Sequence, residues 1–469
     1  MKLDQVEYSA VEQEYDCERS QVVDYESMRP RRWASKSWRL TGCRRLGRPI
    51  RRLCQVLCVT IASLVGVVLL TGMAFPSYTI LPDHYQQLRQ SMIISDQPGR
   101  GNPKNEKIFL AASIYDDSGT LASGQWGKSI LDLIDLLGED NVFLSIYENN
   151  SGRKGSYALR HFRDRVNCTK SIVYESKIDE DMIPHTMYET GPELKRISYL
   201  AEVRNRALEP LSYLNQTYDK VLIVNDVIFD AKDAVNLLFS TNHDQAGKAR
   251  YRAACAVDFG NPFKFYDTFA TRDLEGYSMG VPLYPWFSKE GKAISRKDVQ
   301  QQKDAVRVKS CWGGMVAFDG QYFQGPDPVK FRYEPEPYWD ASECCLVHAD
   351  ILERAQVKDD MNDVGIYMNP YIRVAYDKTT FKLLKVGARF ERVFSVIQGV
   401  LTTATGMPWY NCRRTERAGD KRYGLEWTEH GLVEAERVAQ PGGYCGRYGS
   451  RVRRDHKWVK AAMPEGLYD

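Results

Sequence analysis

The chain has 469 residues, and its 64 Lys and Arg nearly balance 61 Asp and Glu, for a formal net charge of +3. That length exceeds one ordinary domain core and admits a large catalytic domain with appendages. The balance gives no reason to expect nucleic acid as a partner, so charge is informative only where it is local.

In chain order, residues 1–52 form a tail whose second half is basic, with Arg29, Lys36, Arg48 and Arg52 among its cations and no acid from 29 to 52. The run that follows, "LCQVLCVTIASLVGVVLLTGMAF" at 53–75, has no charge and as a helix spans about 35 Å, enough for one membrane crossing. A basic flank before a single span keeps the N-terminus cytosolic and leaves the rest lumenal or extracellular. A cleaved signal peptide is the alternative, disfavoured by the distance from Met1 and the length of the apolar core. Beside a span, the arginines meet anionic lipid rather than nucleic acid. Sequons at Asn149, Asn167 and Asn215 all lie on the lumenal side.

Residues 76–106 are polar and carry Pro82, Pro98, Gly99, Gly101 and Pro103, the composition of a stem. From Lys107 the pattern becomes regular. "IFLAASIY" reads as a strand and "WGKSILDLIDLLG" as a helix with Gly138 at its end. "NVFLSIYE" is a strand, "GSYALRHFRDRV" a helix, "SIVYES" a strand, and "ELKRISYLAEVRNRALEPLSYL" a long helix leading into the strand "KVLIV". Four strands alternating with three helices predict an α/β domain with a mostly parallel central sheet covered on both faces. The domain is expected over 107–376, with a basic C-terminal extension over 377–469 in which Cys412 and Cys445 are the first disulfide candidates. No cysteine spacing matches a zinc site.

Asn225 and Asp226 fall at the carboxyl end of "KVLIV", where open α/β sheets bind ligands. Asp226 and Asp230 both precede the helix "AKDAVNLL", and Asp230 is the better helix cap, which leaves Asp226 for chemistry. The phosphate-loop and dinucleotide glycine motifs are absent, and Ile228 stands where a phosphatase of the haloacid-dehalogenase type needs a second Asp. One option is that Asp226 holds Mn²⁺ or Mg²⁺ against the diphosphate of a nucleotide sugar. Asp258, which ends "YRAACAVD", is a second strand-end carboxylate held in reserve as a catalytic group.

The blocks "LAEVRNRALEPL", "DKVLIVNDVIF", "CAVDFGNPFKFYDTFATRDLEG", "KSCWGGMVAFDGQYF" and "ASECCLVHADI" resemble the fungal capsule-associated α-1,3-mannosyltransferases of glycosyltransferase family 69, over roughly 107–376. The resemblance implies a GT-A-type fold, a GDP-mannose donor, a mannose-containing glycan acceptor, retention of configuration, and a type II Golgi membrane protein. It also carries Asn-Asp-Val where most GT-A enzymes have Asp-x-Asp, so Asp226 has only one carboxylate's help from the strand end.

Further site residues follow from that resemblance and from side-chain chemistry. Arg204 offers a planar fork for phosphate and Asn205 an amide for a base or ribose edge, against a plain exposed helical reading; Asn225 supports the metal or ribose. Gly313 and Gly314 interrupt a strand, as where a ligand approaches the backbone or a bulge forms, and Trp312 is core or a sugar platform, with core favoured. GT-A enzymes often place an acid at the start of a late helix, which selects Glu343 as catalytic, with a helix-dipole partner as the alternative, and a late His in the metal shell, which makes His348 the metal candidate, with a buried structural histidine favoured. Retention allows a covalent intermediate or same-face attack, and same-face attack is favoured because no carboxylate stands out as nucleophile. An inactive glycan-binding scaffold is the alternative function, opposed by Asp226.

Overall fold

The computed structural model describes residues 48–358, 361–405 and 413–464. It divides after Phe75. Before that point lies helix α1 (Arg48–Ala74), whose Gln55–Ala74 stretch is long and apolar enough to cross a membrane. It is the one such helix among the described residues and a candidate anchor.

The second unit opens with α2 (Asp83–Ile94) and then alternates as its hydrophobic pattern predicts: β1 (Ile108–Ile114), α3 (Gln125–Leu137), β2 (Val142–Asn149), α4 (Gly152–Arg165) and β3 (Thr169–Glu175). A short hairpin, β4 (Thr186–Tyr188) and β5 (Gly191–Glu193), leads to α5 (Arg196–Leu208), β6 (Lys220–Val224) and α6 (Ala231–Ser240). Gly138 ends α3 with φ 87°, a conformation that a side chain would strain. The long helix expected from "ELKRISYL" is shorter than the pattern implied. Glu193 is taken by the β4–β5 ladder, and Pro210, which has no N–H, turns the last residues into a 3₁₀ turn.

The chain continues through β7 (Ala253–Asn261), β8 (Lys264–Phe265), β9 (Arg272–Asp273), α7 (Ile294–Gln300), β10 (Val306–Ser310) and β11 (Met315–Asp319). It then adds β12 (Trp339–Ala341), α8 (Glu343–Arg354), β13 (Ile366–Ala375), α9 (Lys378–Phe390) and α10 (Phe394–Thr405). Last come β14 (Lys421–Thr428), β15 (Gly431–Val438), β16 (Gly446–Tyr448), β17 (Arg451–Arg454) and β18 (Lys457–Lys460).

The central sheet has the order β3-β2-β1-β6-β11-β7-β13-β10-β9, with β8 on β7. β3, β2, β1 and β6 pair in parallel, as do β7 and β13, while β8, β10 and β11 run against them. Parallel strands need helices on both faces, and β1, β2 and β6 are accordingly buried while the edge strand β3 is not: Phe109, Val221 and Phe318 feed one core, Leu110, Leu144 and Val224 the other. The parallel half sets the carboxyl ends of β1, β2 and β6 along one edge.

Two segments differ from expectation. Residues 76–105 are packed on the body rather than extended as a spacer. Ser77, Tyr78, Tyr85 and Met92 are buried, and the Ser77 hydroxyl donates to Glu391 at 2.6 Å. Arg89 pairs with Asp230 and Asp233 of the α6 start. Tyr85, Leu88 and Met92 share one face of α2, an apolar stripe masked by the polar average of the segment. At the C-terminal end, β16 pairs with β12 and Cys445 is disulfide-bonded to Cys345 of α8. Cys445, a disulfide candidate from the sequence, thus finds its partner in α8, and Cys412, the other candidate, lies outside the described residues. A second disulfide joins Cys255 to Cys311. Of the sequons, Asn167 and Asn215 are exposed, whereas Asn149 is buried with its amide donating to the Tyr199 hydroxyl at 2.6 Å.

Candidate functional site

Strand β6 is apolar and buried for its whole length, so its hydrogen-bonding ladder ends where the polar Asn225 begins. Asn225 then fixes the bend. Its N–H donates to the Gly314 carbonyl at 2.9 Å, its carbonyl accepts from the Trp126 indole at 2.8 Å, and its side-chain oxygen accepts from Arg204 at 3.3 Å. Asp226 follows on that bend as an exposed carboxylate. Asp230, not Asp226, caps α6, accepting from the Lys232 N–H at 2.8 Å.

Arg204 reaches this bend from the third turn of α5. Its Nε donates to Glu343 Oε1 at 3.0 Å, and its guanidinium lies over the Trp312 ring with a 4.6 Å separation. Burial opposes the Arg204 charge, and the acidic groups of Cys344, Glu343 and Asp226 more than offset it. The structure therefore brings together Arg204, Asn225, Asp226, Trp312 and Glu343. Arg204, Glu343 and Asp226 together sum to one negative charge beside the strand end.

The other expected residues have different surroundings. Both ends of the Asn205 amide are spent on Phe331, donating to its carbonyl at 2.8 Å and accepting from its N–H at 2.9 Å, so Asn205 pins a loop and does not face a donor. Glu343 begins α8, but its carboxylate is buried against Arg204 rather than presented at the mouth. Asp258 is buried on β7, accepting from the Tyr376 hydroxyl at 2.9 Å and the Asp267 N–H at 3.1 Å, which makes it a strut. Trp312 is buried and edge-on to Phe331, a core position. Gly313 and Gly314 have φ of 55° and 67°, and a Cβ at Gly313 would stand 2.0 Å from the Ala256 carbonyl oxygen. The close approach is thus to the protein's own backbone.

His348 is buried in the core against Phe318. Its Nδ1 lies 2.8 Å from the Cys344 carbonyl, which can only accept, so Nδ1 carries the proton. Burial lowers its pKa to about 4. A ligand atom of His348 lies within 4.8 Å of the sulfurs of Cys255 and Cys311, yet those sulfurs are joined to each other and offer no thiolate to a metal. The surroundings are those of a structural histidine.

Sequence reasoning passed over Glu148, which sits at the carboxyl end of β2 in register with Ile114 of β1. It is buried, and neither of its oxygens makes a hydrogen bond among the described residues. Burial pushes its carboxyl up to about 7, with the Ser151 hydroxyl pulling the other way and the Asp116 charge adding to the rise. The signal was an acid closing an otherwise apolar strand, the same signal that drew attention to Asp226. Trp126, which fixes the Asn225 carbonyl, carried no such signal, because a tryptophan at helical spacing reads as core.

No curated protein sequence matches the chain. Among solved structures, the mannosyltransferase PcManGT from Pyrobaculum calidifontis, in complex with GDP-Man and Mn²⁺, aligns over 73% of this chain and 74% of its own at 10% identity and a TM-score of 0.33. Mannosyl-3-phosphoglycerate synthase from Rubrobacter xylanophilus aligns over 80% and 93% at 12% identity and 0.30. Glucosyl-3-phosphoglycerate synthase from Mycobacterium tuberculosis, with Mn²⁺, UDP-glucose and glycerol 3-phosphate, aligns over 75% and 92% at 10% identity and 0.30. The profile of cryptococcal mannosyltransferase 1 matches residues 107–350, more than half of the chain and the part that supplies Arg204, Asn225, Asp226 and Glu343. By that match the chain belongs to the cryptococcal mannosyltransferase 1 family.

Proposed function

We propose that this chain transfers mannose from GDP-mannose to a mannose-containing glycan, forming an α-1,3 linkage with retention of configuration and using Mn²⁺ or Mg²⁺. Family membership supports mannosyl transfer, and the GT-A-type fold it implies accords with the sheet order. The observation that carries the reading is Asp226, an exposed carboxylate at the carboxyl end of a buried parallel strand, on a bend held by Asn225, Arg204 and Gly314.

This set fits a hard divalent ion, which takes carboxylate oxygens and shares its remaining positions with substrate phosphates. Asp226 would hold it, and the ion would supply neutralisation of the charge that builds on departing GDP. Arg204, clamped by Glu343 and laid on Trp312, keeps the bend and its carboxylate in place. In the transfer, the acceptor hydroxyl forms the new bond to the anomeric carbon on the face from which the diphosphate leaves. The bond from that carbon to the phosphate oxygen breaks, and the hydroxyl proton passes to the leaving phosphate. The commitment of Glu343 to Arg204 and of Asp258 to Tyr376 supports this course over a covalent intermediate.

The same reading makes the protein a single-pass type II Golgi enzyme with α1 as anchor and its catalytic body lumenal. The basic residues before the span and the exposed sequons at Asn167 and Asn215 support it. The test is to incubate the detergent-purified full chain with Mn²⁺, a mannose-containing acceptor and a panel of nucleotide sugars. Turnover is expected with GDP-mannose alone. Glycan binding without release of nucleoside diphosphate from any donor would favour the scaffold reading instead.

A further inference from the structure

Only Phe75 and Pro76 separate the last residue of α1, Ala74, from Ser77, which is buried in the body and bonded to Glu391. Glu391 lies between α9 and α10. Each of these two helices carries exposed apolar side chains at helical spacing, Leu383 and Val386 on α9 and Val396, Ile397, Val400 and Leu401 on α10. Val396 is 70% exposed and Val400 63%. The opposite side of α10 is anchored, since the buried Gln398 accepts from Arg296 at 3.0 Å.

Beyond the capping Asp377, the charge on the two helices is one-sided. Residues 378–405 contain Lys378, Lys382, Lys385, Arg389 and Arg392, and their single acid, Glu391, is buried in an ion pair with Arg373 at 2.8 Å. Lys378, Lys382, Lys385 and Arg389 are exposed. An apolar strip fringed by lysine and arginine is the pattern of a helix lying in the headgroup region, with apolar side chains in the acyl boundary and the cations reaching to phosphate.

We infer that α9 and α10 form a second, non-spanning membrane contact that seats the body on the bilayer through the face centred on Val396 and Val400. The inference rests on α1 being the anchor.

The experiment uses the full chain, one copy per nanodisc, in phosphatidylcholine and phosphatidylserine that include a phospholipid with an acyl-chain diazirine. After irradiation, mass spectrometry maps the lipid adducts. Adducts are expected on α1 and on peptides covering 383–401, and none on the β14–β15 hairpin. Val396→Glu combined with Val400→Glu should abolish the 383–401 adducts while leaving α1 labelling, melting temperature and donor turnover in detergent unchanged. Labelling of α1 without labelling of 383–401 overturns the second contact alone, and an unlabelled α1 overturns the anchor with it. Adducts that survive the double substitution also overturn the assignment of this face. Should the double variant fail to fold, the map of the unsubstituted protein decides.

Discussion

Replacing Glu343 by Gln separates a positioning role from a reacting one. The Arg204 and Glu343 side chains are 10% and 3% exposed, with Nε and Oε1 at 3.0 Å. At an effective dielectric constant of about 20, that separation corresponds to about 5 kcal/mol of gross attraction. Gln keeps an oxygen for the hydrogen bond but not the charge, so the guanidinium is left with the Asn225 oxygen and the Trp312 face. Breaking a buried pair costs about 3–5 kcal/mol, and the retained hydrogen bond and ring contact reduce this to about 2–4 kcal/mol. Across a body of roughly 400 residues, that loss lowers the melting temperature by about 2–5 °C. Because Arg204 also holds the bend that carries Asp226, the Mn²⁺ concentration for half-maximal turnover should rise and turnover at saturating Mn²⁺ should fall only modestly. Differential scanning fluorimetry and a Mn²⁺ titration of GDP release measure both. An unchanged melting temperature together with an unchanged Mn²⁺ dependence would refute the clamp, and lost turnover at normal stability and normal Mn²⁺ dependence would return Glu343 to a reacting role.

Asp226→Asn keeps the shape but not the charge that attracts a hard ion, so GDP release should fall to background with the melting temperature within 1 °C or so, as expected for an exposed site; a fully active, Mn²⁺-dependent variant would sink the metal assignment. For Glu148→Gln the parent carboxyl, raised to about 7 from an ordinary 4.5, binds its proton more tightly folded than unfolded. The parent therefore loses stability as pH rises from 4.5 to 7, and the variant's advantage should grow from nothing near pH 4.5 to about 3 kcal/mol above pH 7; an advantage flat with pH in denaturant titrations would contradict the burial argument. Cys445→Ser opens the bond to Cys345 across a sequence separation of 100, and loop-closure entropy puts the cost at about 4–5 kcal/mol. Limited proteolysis should then release the segment beyond 413 first, and equal protease resistance in both proteins would count against that bond.

The sequence by itself determined the parts that depend on local periodicity. Alternating strands and helices from Ile108 to Ser240, the Gly138 and Asp230 helix ends, and the apolar span were all legible, because the hydrogen bonds and buried faces that make them lie within a few residues of each other. So was the position of Asp226, since a polar pair after a buried strand marks the sheet's carboxyl edge. The tertiary structure alone decided which side chains meet. Arg204 and Glu343 are 139 residues apart, Asn205 and Phe331 126, and Ser77 and Glu391 314. No local pattern encodes those partners, because they are chosen by how the sheet closes, with β11 inserted between β6 and β7. That is why Asn205 looked available and is committed to Phe331, and why residues 76–105 looked like a spacer: their average composition is polar, while the few residues that dock them, Ser77, Tyr78, Tyr85 and Met92, find their burial only against distant segments.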